Sequence, residues 1–318
     1  MMHRIAWSWL LVAGIAVCRV DGVWSESYPV KSIRILAPEA GGGVDFAARV
    51  TAQAMQSRLG HPVIVDNRSA IVAAETVAKG TPDGYTLLIS GGSLWLLPLM
   101  RKSVSWNAIK DFAPVSLLAT SPNMIVIHPS VAAKSVQELI ALAKARPGQL
   151  NYGASIGGST HLAAELFKSL AGVNLVRIPF KGNGPALNAL IGGEVQIMFA
   201  TIAAALPHVK SGKLRALAST SAKPSALLPD LPTASVTLPG YASATMIGLF
   251  APPATPVNII RQLNSEVVSL LALPELKKRY FDAGVETVGS SPAGFATAIR
   301  DDIATLGKVI KDAGIRDD

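Results

Sequence analysis

Short apolar runs alternate with amphipathic segments along most of the chain, and turns rich in glycine or proline separate them. The β-rich run Ile33–Ala37 leads into a glycine-rich loop, after which a helical pattern covers residues 45–59. The same order recurs over residues 150–170, 175–190 and 195–208. Strands that alternate with helices in this way predict an α/β fold with a largely parallel sheet.

Helix signals mark the later part of the chain as well. Ser135 with Glu138 three residues on forms a capping box, which predicts a helix start. Two long helical patterns, over Val257–Leu271 and 292–313, follow a strand pattern at 245–251. No segment repeats at a fixed period, so we do not expect a solenoid.

The N-terminus has the pattern of an export signal. Basic residues within 1–4 precede the apolar run Ile5–Val17, which is too short to span a bilayer. Small residues around Ser25 predict a signal peptide over residues 1–25, and therefore export to the periplasm. Cys18 offers lipoprotein anchoring as a less favoured alternative, because the valine before it fits a lipoprotein cleavage box poorly. A buried N-terminal helix is the third reading.

Composition narrows the class of function. The apolar share of the 318 residues is 50%, which excludes a disordered chain. The single cysteine excludes an intrachain disulfide and a cysteine-based zinc site. The net charge of +8 comes from bases that are spread along the chain, and aromatic residues make up only 6%, so we expect no nucleic-acid partner. The histidines lack metal-ligand spacing, and no nucleotide motif is present, so we expect no metal and no cofactor.

Each strand–loop–helix junction places a helix N-terminus at the C-terminal edge of a sheet, where open α/β sheets bind ligands. Backbone N–H groups and the positive end of the helix dipole suit an anion there. For any one loop, the better interpretation is that its glycines only make a tight turn. Three loops of this composition, at 38–45, 153–161 and 180–184, together favour a site for a carboxylate or a phosphate.

One enzyme signal lies in the middle loop. Gly153–Gly157 matches the nucleophile-elbow pattern around Ser155, between a strand and a helix. Such a nucleophile needs an acid and a distant histidine. His161 is too close along the chain, and the only acids between Ser155 and the last histidine, His208, are Glu165 and Glu194. A Ser155 hydrolase is therefore the disfavoured alternative.

Several stretches together form a specific signature over nearly the whole mature chain. They are Pro38 with Gly41–Gly43 and Asp45, Val65–Arg68, Pro82–Leu88, Lys110–Val115, Leu150–Leu162, Pro179–Gly182, Leu206–Ala218 and Leu231–Thr233. With these stretches the chain resembles the extracytoplasmic substrate-binding receptors of tripartite tricarboxylate transporters, the Bug receptor family.

The resemblance implies an α/β, two-lobed periplasmic-binding-protein-like fold of type II, with two crossovers between the lobes near 121–129 and 242–252. Lobe 1 would hold residues 28–122 plus 247–318, and lobe 2 residues 123–246. The family function is that of a monomeric, non-catalytic receptor, which captures a small carboxylate and passes it to the large and small membrane permease subunits of a transporter. A carboxylate-sensing receptor with a signalling partner has the same fold and stays open as an alternative.

The family's ligand loops carry over to this chain by motif. The expected ligand-binding residues are Gly42, Gly43, Asp45, Ser93, Ser155, Gly157, Ser159, Thr160, His161, Lys181, Gly182 and Thr201. Backbone N–H groups and hydroxyls would hold the carboxylate, because no arginine is suitably placed among these loops. The chain departs from the family pattern at Glu39, where an aromatic residue is usual, and at Ala200, where some members carry an acid. The resemblance therefore does not select one carboxylate.

Overall fold

The computed structural model describes residues 28–38, 40 and 43–316. The strands are β1 (Ile33–Ala37), β2 (Val63–Asn67), β3 (Thr86–Gly91), β4 (Ala113–Ile127), β5 (Asn151–Ala154), β6 (Val176–Pro179), β7 (Ile197–Thr201), β8 (Arg215–Ser219), β9 (Ala244–Ala251) and β10 (Glu286–Thr287). The helices are α1 (Gly43–Leu59), α2 (Ala70–Ala78), α3 (Ser93–Met100), α4 (Val136–Ala145), α5 (Ser159–Ala171), α6 (Asn183–Ile191), α7 (Ile202–Lys210), α8 (Val257–Leu271), α9 (Pro274–Asp282) and α10 (Pro292–Asp312). Within the described ranges, no helix combines the length and the apolar character needed to cross a membrane. The predicted signal peptide and Cys18 lie outside the described residues.

The strands form two sheets that share β4. In the first sheet, β1 pairs in parallel with β2 and β3, and β9 lies antiparallel between β3 and β4. In the second sheet, β7 lies between β4 and β5, and β6 extends the parallel part. The predicted α/β, two-lobed fold is confirmed. The lobe boundaries at 28–122 plus 247–318 and at 123–246 stay a prediction.

The expectation of a largely parallel sheet is wrong for β4 and β9. β4 enters the second sheet from the first, and β9 returns to the first, so each runs against the strands of the sheet that it enters. β8 and β10 also pair antiparallel with β4. A count of strand–helix alternations cannot reveal this reversal, because it depends on the crossovers.

The first half of β4 is a strand that the hydrophobic pattern does not predict. Pro114 and Pro122 suggest an interrupted strand, because proline cannot donate to the ladder. In the structure, β4 shifts its register against β9 between Pro114 and Ser116 and again between Leu117 and Ala119. Such irregularities accommodate proline and bend the strand. This bend allows β4 to pass from the first sheet into the second.

One continuous apolar cluster joins the two sheets. Trp95 of α3, Phe250 of β9 and Phe295 of α10 pack with ring centroids 4.9 to 6.4 Å apart. On the side of the second sheet, Phe167 of α5 contacts Phe199 of β7 at 5.4 Å between centroids. All five rings are buried. This packing brings α3, α5 and α10 together, although they lie far apart along the chain.

Candidate functional site

A cavity of about 390 Å³ lies between the two sheets, and we call it the cleft cavity. Its walls are the starts of α3 and α5, the first residues of β9 and one face of α10, with Val44 of α1 at its edge. Since α3 follows a strand of the first sheet and α5 a strand of the second, both sheets contribute to the walls. The volume fits a small organic molecule.

The turn between β5 and α5 forms one wall. Gly157 has a φ of 69°, the left-handed conformation that favours glycine, and a Cβ on it would lie 3.3 Å from Met100 Sδ. Gly158 is the N-cap of α5 and Ser159 is its first residue. Among the described residues, the N–H groups of the first three residues of α5 have no backbone acceptor. These donors and the Ser159 hydroxyl suit an anion at the positive end of the helix.

The start of α3 forms the facing wall. β3 ends at Gly91, and α3 begins at Ser93, with Gly92 as an N-cap that offers no side-chain acceptor. Trp106 Nε1 donates to the Leu94 carbonyl at 2.7 Å and holds this first turn in place. The Ser93 hydroxyl and the first N–H groups of α3 therefore add a second set of donors, from the other sheet.

The electrostatics of the cleft cavity depend on one carboxylate. Asp302 of α10 lines the cavity, whereas no Lys, Arg or His is among its described lining residues. Trp95 Nε1 donates a hydrogen bond to Asp302 Oδ2 at 2.6 Å. Burial raises the pKa of the Asp302 carboxyl, and this hydrogen bond opposes the rise. An anionic ligand would depend on N–H and hydroxyl donors here, since the described walls offer it no ion pair.

Much of the remaining wall is apolar. Its side chains come mainly from α3, α5 and α10, and they are Leu96, Leu97, Met100, Ile156, Leu162, Met246 and Leu306. Hydrocarbon that is buried against such a wall contributes about 25 cal/mol per Å². The cavity therefore suits a ligand that combines an anionic end with a hydrocarbon body.

His161 lies behind the wall. It is 4% exposed, and its Nδ1 accepts the N–H of Gly157 at 3.1 Å. Burial lowers the pKa of His161 to about 4; the positive charges of Arg177 and Lys168 act in the same direction, and Glu165 opposes them. The ring is therefore neutral at pH 7, and it can keep the hydrogen bond that shapes the turn.

Asp45 braces the loop that precedes α1. Asn67 Nδ2 donates to Asp45 Oδ1 at 2.9 Å and to the Pro38 carbonyl at 2.7 Å. Arg49, one helical turn on, lies 3.0 Å from the same carboxylate oxygen. The carboxylate is 7% exposed and satisfied from two sides, so it ties β2 to the loop and to α1.

The structure brings three of the expected ligand-binding residues, Ser93, Gly157 and Ser159, together in the cleft cavity. Gly42 lies outside the described residues. The other expected residues do not line this cavity: Gly43, Asp45, Ser155, Thr160, His161, Lys181, Gly182 and Thr201. Lys181 is exposed, and Gly182 and Thr201 are the N-caps of α6 and α7. Ligand contact by these residues stays a prediction.

Three walls were missed by the sequence reasoning. Ser243 directly precedes β9 and Thr245 is its second residue, and the expected crossover at 242–252 was the signal that could have found them. The apolar face of α3 carries no glycine loop. Asp302 and Leu306 lie in the middle of a long helix, and only packing against α3 brings them to the cavity.

Ser155 does not make the contacts of a catalytic nucleophile. Among the described residues, no hydrogen bond joins its hydroxyl to a histidine or to an acid. The closest histidine along the chain uses its Nδ1 on Gly157 instead. The described part of the chain also contains no group of three or more His, Cys, Asp or Glu that could hold a metal ion.

Comparison with known proteins adds to this geometry. Residues 47–315 match the TctC family, "Tripartite tricarboxylate transporter family receptor". Protein BugT of Bordetella pertussis (strain Tohama I) is 34% identical over 316 residues, which cover 96% of this chain and 95% of that protein.

Two solved structures with ligands are also similar. The R. palustris protein Rpa4515 with adipate is 33% identical with a TM-score of 0.76, and the match covers 91% of this chain and 99% of that chain. MatC from Rhodopseudomonas palustris with bound malate is 29% identical with a TM-score of 0.70, and the match covers 89% of this chain and 100% of that chain.

Proposed function

The chain belongs to the tripartite tricarboxylate transporter receptor family, and we propose that it is an extracytoplasmic solute-binding receptor for a small carboxylate. The observation that carries the proposal is the cleft cavity, which is lined by the starts of helices from both sheets. The N–H donors of such helix starts bind an anion without a basic side chain. The adipate and malate of the two similar structures belong to this ligand class.

The ligand's carboxylate would lie against the start of α5, within reach of the Ser159 hydroxyl and the first N–H groups. Its body would lie along Leu97 and Leu306, where contact with water is lost. Part of the hydrogen bonding would run through ordered water, which serves nearly as well as a direct bond. The Asp302 carboxylate disfavours a second negative charge beside α10.

Capture would close the two lobes over the ligand. Residues 28–122 plus 247–318 would move as one body against residues 123–246, about the crossovers. Hydrogen bonds join the chain segments at these crossings: the Thr220 N–H donates to the Asn123 carbonyl at 2.9 Å, and the Ser243 N–H to the Thr220 carbonyl at 2.8 Å. Hinge closure of this kind should lower the radius of gyration in small-angle scattering at saturating ligand.

The partners would be the large and small permease subunits of a tripartite tricarboxylate transporter, which receive the ligand from a monomeric receptor in the periplasm. BugD, another protein whose solved structure is similar, is a periplasmic binding protein. Intact-mass analysis of exported protein should show a chain that starts near Glu26. A diacylglyceryl mass on Cys18 would assign a lipid anchor instead, and a chain that still begins at Met1 would contradict processing.

A thermal-shift panel tests the ligand class. Adipate, malate and other small carboxylates are compared with their neutral amides at constant ionic strength. A carboxylate at 100 times its dissociation constant should stabilise the protein by about 2.7 kcal/mol, and its amide should not. Stabilisation by the amides alone would contradict an anion site. Ester hydrolysis that disappears in Ser155→Ala would overturn the receptor in favour of the hydrolase.

A further inference from the structure

A second cavity, of about 410 Å³, lies behind the turn between β5 and α5, and we call it the rear pocket. Its walls are His161, Glu165 and Lys168 of α5, Arg177 of β6 and residues 313–316, which follow α10. Ile156 lines both this pocket and the cleft cavity. The rear pocket therefore borders the turn that carries the proposed ligand donors, without being part of that site.

The charges around the rear pocket do not balance. Lys168, Arg177 and Arg316 line it, against the single carboxylate of Glu165. That carboxylate already accepts Lys168 Nζ at 2.7 and 2.9 Å and the hydroxyl of Tyr152. Among the described residues, no ion pair joins a carboxylate to Arg177 or Arg316, and Glu165 is the only acid that lines the pocket.

Arg177 shows the imbalance at the level of atoms. Its Nη1 is buried and has no hydrogen-bond partner among the described residues. A buried donor on a charged group is costly when nothing accepts its proton. Arg177 also lines the rear pocket, so an anion there would balance its unpaired charge.

His161 supplies a further donor. Because Nδ1 accepts the Gly157 N–H, the proton of the neutral ring is on Nε2. The Glu165 Oε1 atom lies 3.9 Å from Nε2, which is too far for a hydrogen bond. This N–H is therefore also free to donate to a ligand in the rear pocket.

We propose that the rear pocket binds a small tetrahedral oxyanion of the inorganic phosphate or sulfate type. Its donors come from three elements: β6 with Arg177, α5 with His161, and the segment after α10 with Arg316. A tetrahedral oxyanion has more oxygens than the two of a carboxylate, so donors on three separate elements can each bind a different one.

An anion in the rear pocket would also act on the turn between β5 and α5. The groups that face His161 or share the rear pocket with it are Tyr152 of β5, Glu165 and Lys168 of its own helix, Arg177 of β6 and Arg316 after α10. An added anion favours the charged form of the ring and raises its pKa. Protonation of Nδ1 would release the Gly157 N–H, which could then donate to a ligand in the cleft cavity.

Thermal unfolding at increasing concentrations of sulfate or phosphate tests the proposal. Sodium chloride keeps the ionic strength constant and serves as the control salt. We expect a saturable rise in Tm of about 3–6 °C in the wild type and in Ser159→Ala, which alters only the cleft cavity. Arg177→Gln should lose the rise, Arg177→Lys should keep part of it, and the matched charge control Arg146→Gln should keep all of it. Without added anion, Arg177→Gln should melt no lower than the wild type, because it removes a half-buried charge that no described carboxylate pairs.

NMR of the His161 ring gives a second readout. Sulfate should raise the pKa of this ring in the wild type and leave it unchanged in Arg177→Gln. The proposal would be overturned if sulfate raised the Tm of Arg177→Gln as much as that of the wild type. It would also be overturned if Ser159→Ala were the only variant to lose this rise. The sequence continues with Asp317 and Asp318, which lie outside the described residues. If sulfate stabilises only D317N/D318N and not the wild type, the carboxylates of Asp317 and Asp318 would be the natural occupants of the rear pocket. That result would overturn the proposal that the pocket binds a free ion.

Discussion

Replacing Ser159 by alanine removes one hydroxyl from the wall of the cleft cavity and leaves the backbone donors of α5 in place. The N-cap of α5 is Gly158, so the hydroxyl is not a helix cap. Alanine is also the better helix former, by a few tenths of a kcal/mol up to about 0.7. The free energy of unfolding should therefore stay unchanged or rise slightly, and a change in ligand affinity would report on the site itself.

The expected loss follows from the type of bond. A hydrogen bond from a hydroxyl to a carboxylate contributes about 1.5–3 kcal/mol, because one partner is charged. That range corresponds to a dissociation constant raised about 10- to 150-fold. Isothermal titration with the carboxylate that gives the largest thermal shift measures it directly.

Lys181→Ala is the matched control. Lys181 is exposed and does not line the cleft cavity. Its charge acts only through solvent and is screened beyond about 8 Å at physiological salt. Affinity should change by less than about twofold at that ionic strength. Loss of binding in Lys181→Ala, together with unchanged binding in Ser159→Ala, would refute donation by the helix start in favour of a direct ion pair.

Three further outcomes are expected. Gly248→Ala should lower the free energy of unfolding by about 3 kcal/mol or more in a denaturant titration, because its Cβ would lie 2.0 Å from Cζ of the buried Phe295. The control Gly184→Ala should leave the free energy of unfolding unchanged by any such clash, since nothing lies within 4 Å of its Cβ. The pKa of His161 is about 4 in the folded protein against an ordinary value of 6.5, so the unfolded chain binds the proton first as pH falls. The free energy of unfolding should therefore drop by about 3 kcal/mol between pH 6.5 and pH 4, and His161→Gln should remove this pH dependence. Asp302→Asn keeps an acceptor for Trp95 Nε1 and removes the carboxylate from the described wall of the cleft cavity, so the affinity for a carboxylate ligand at pH 7 should rise up to about tenfold. An unchanged affinity would show that the ligand lies far from α10.

The sequence alone determined the features that depend on near neighbours. The order of strands and helices, the capping of α4 by Ser135 and the glycine turn before α5 all rest on backbone propensity and on hydrogen bonds that reach a few residues. Glycine at 157 is an example, since a left-handed turn requires it whatever packs around it. The family motif supplied the two-lobed fold and three residues of the cleft cavity.

Tertiary structure decided which of these local features share a space. β4 runs through two prolines because pairing with β9 outweighs local propensity. Asp302 reaches the cleft cavity, and Arg316 reaches the pocket of Arg177, only because α10 packs against α3 and α5. Burial of apolar surface sets those distances, and it depends on contacts between residues that are remote along the chain. Periodicity shows that a helix has a buried face, but only the folded protein shows what that face meets.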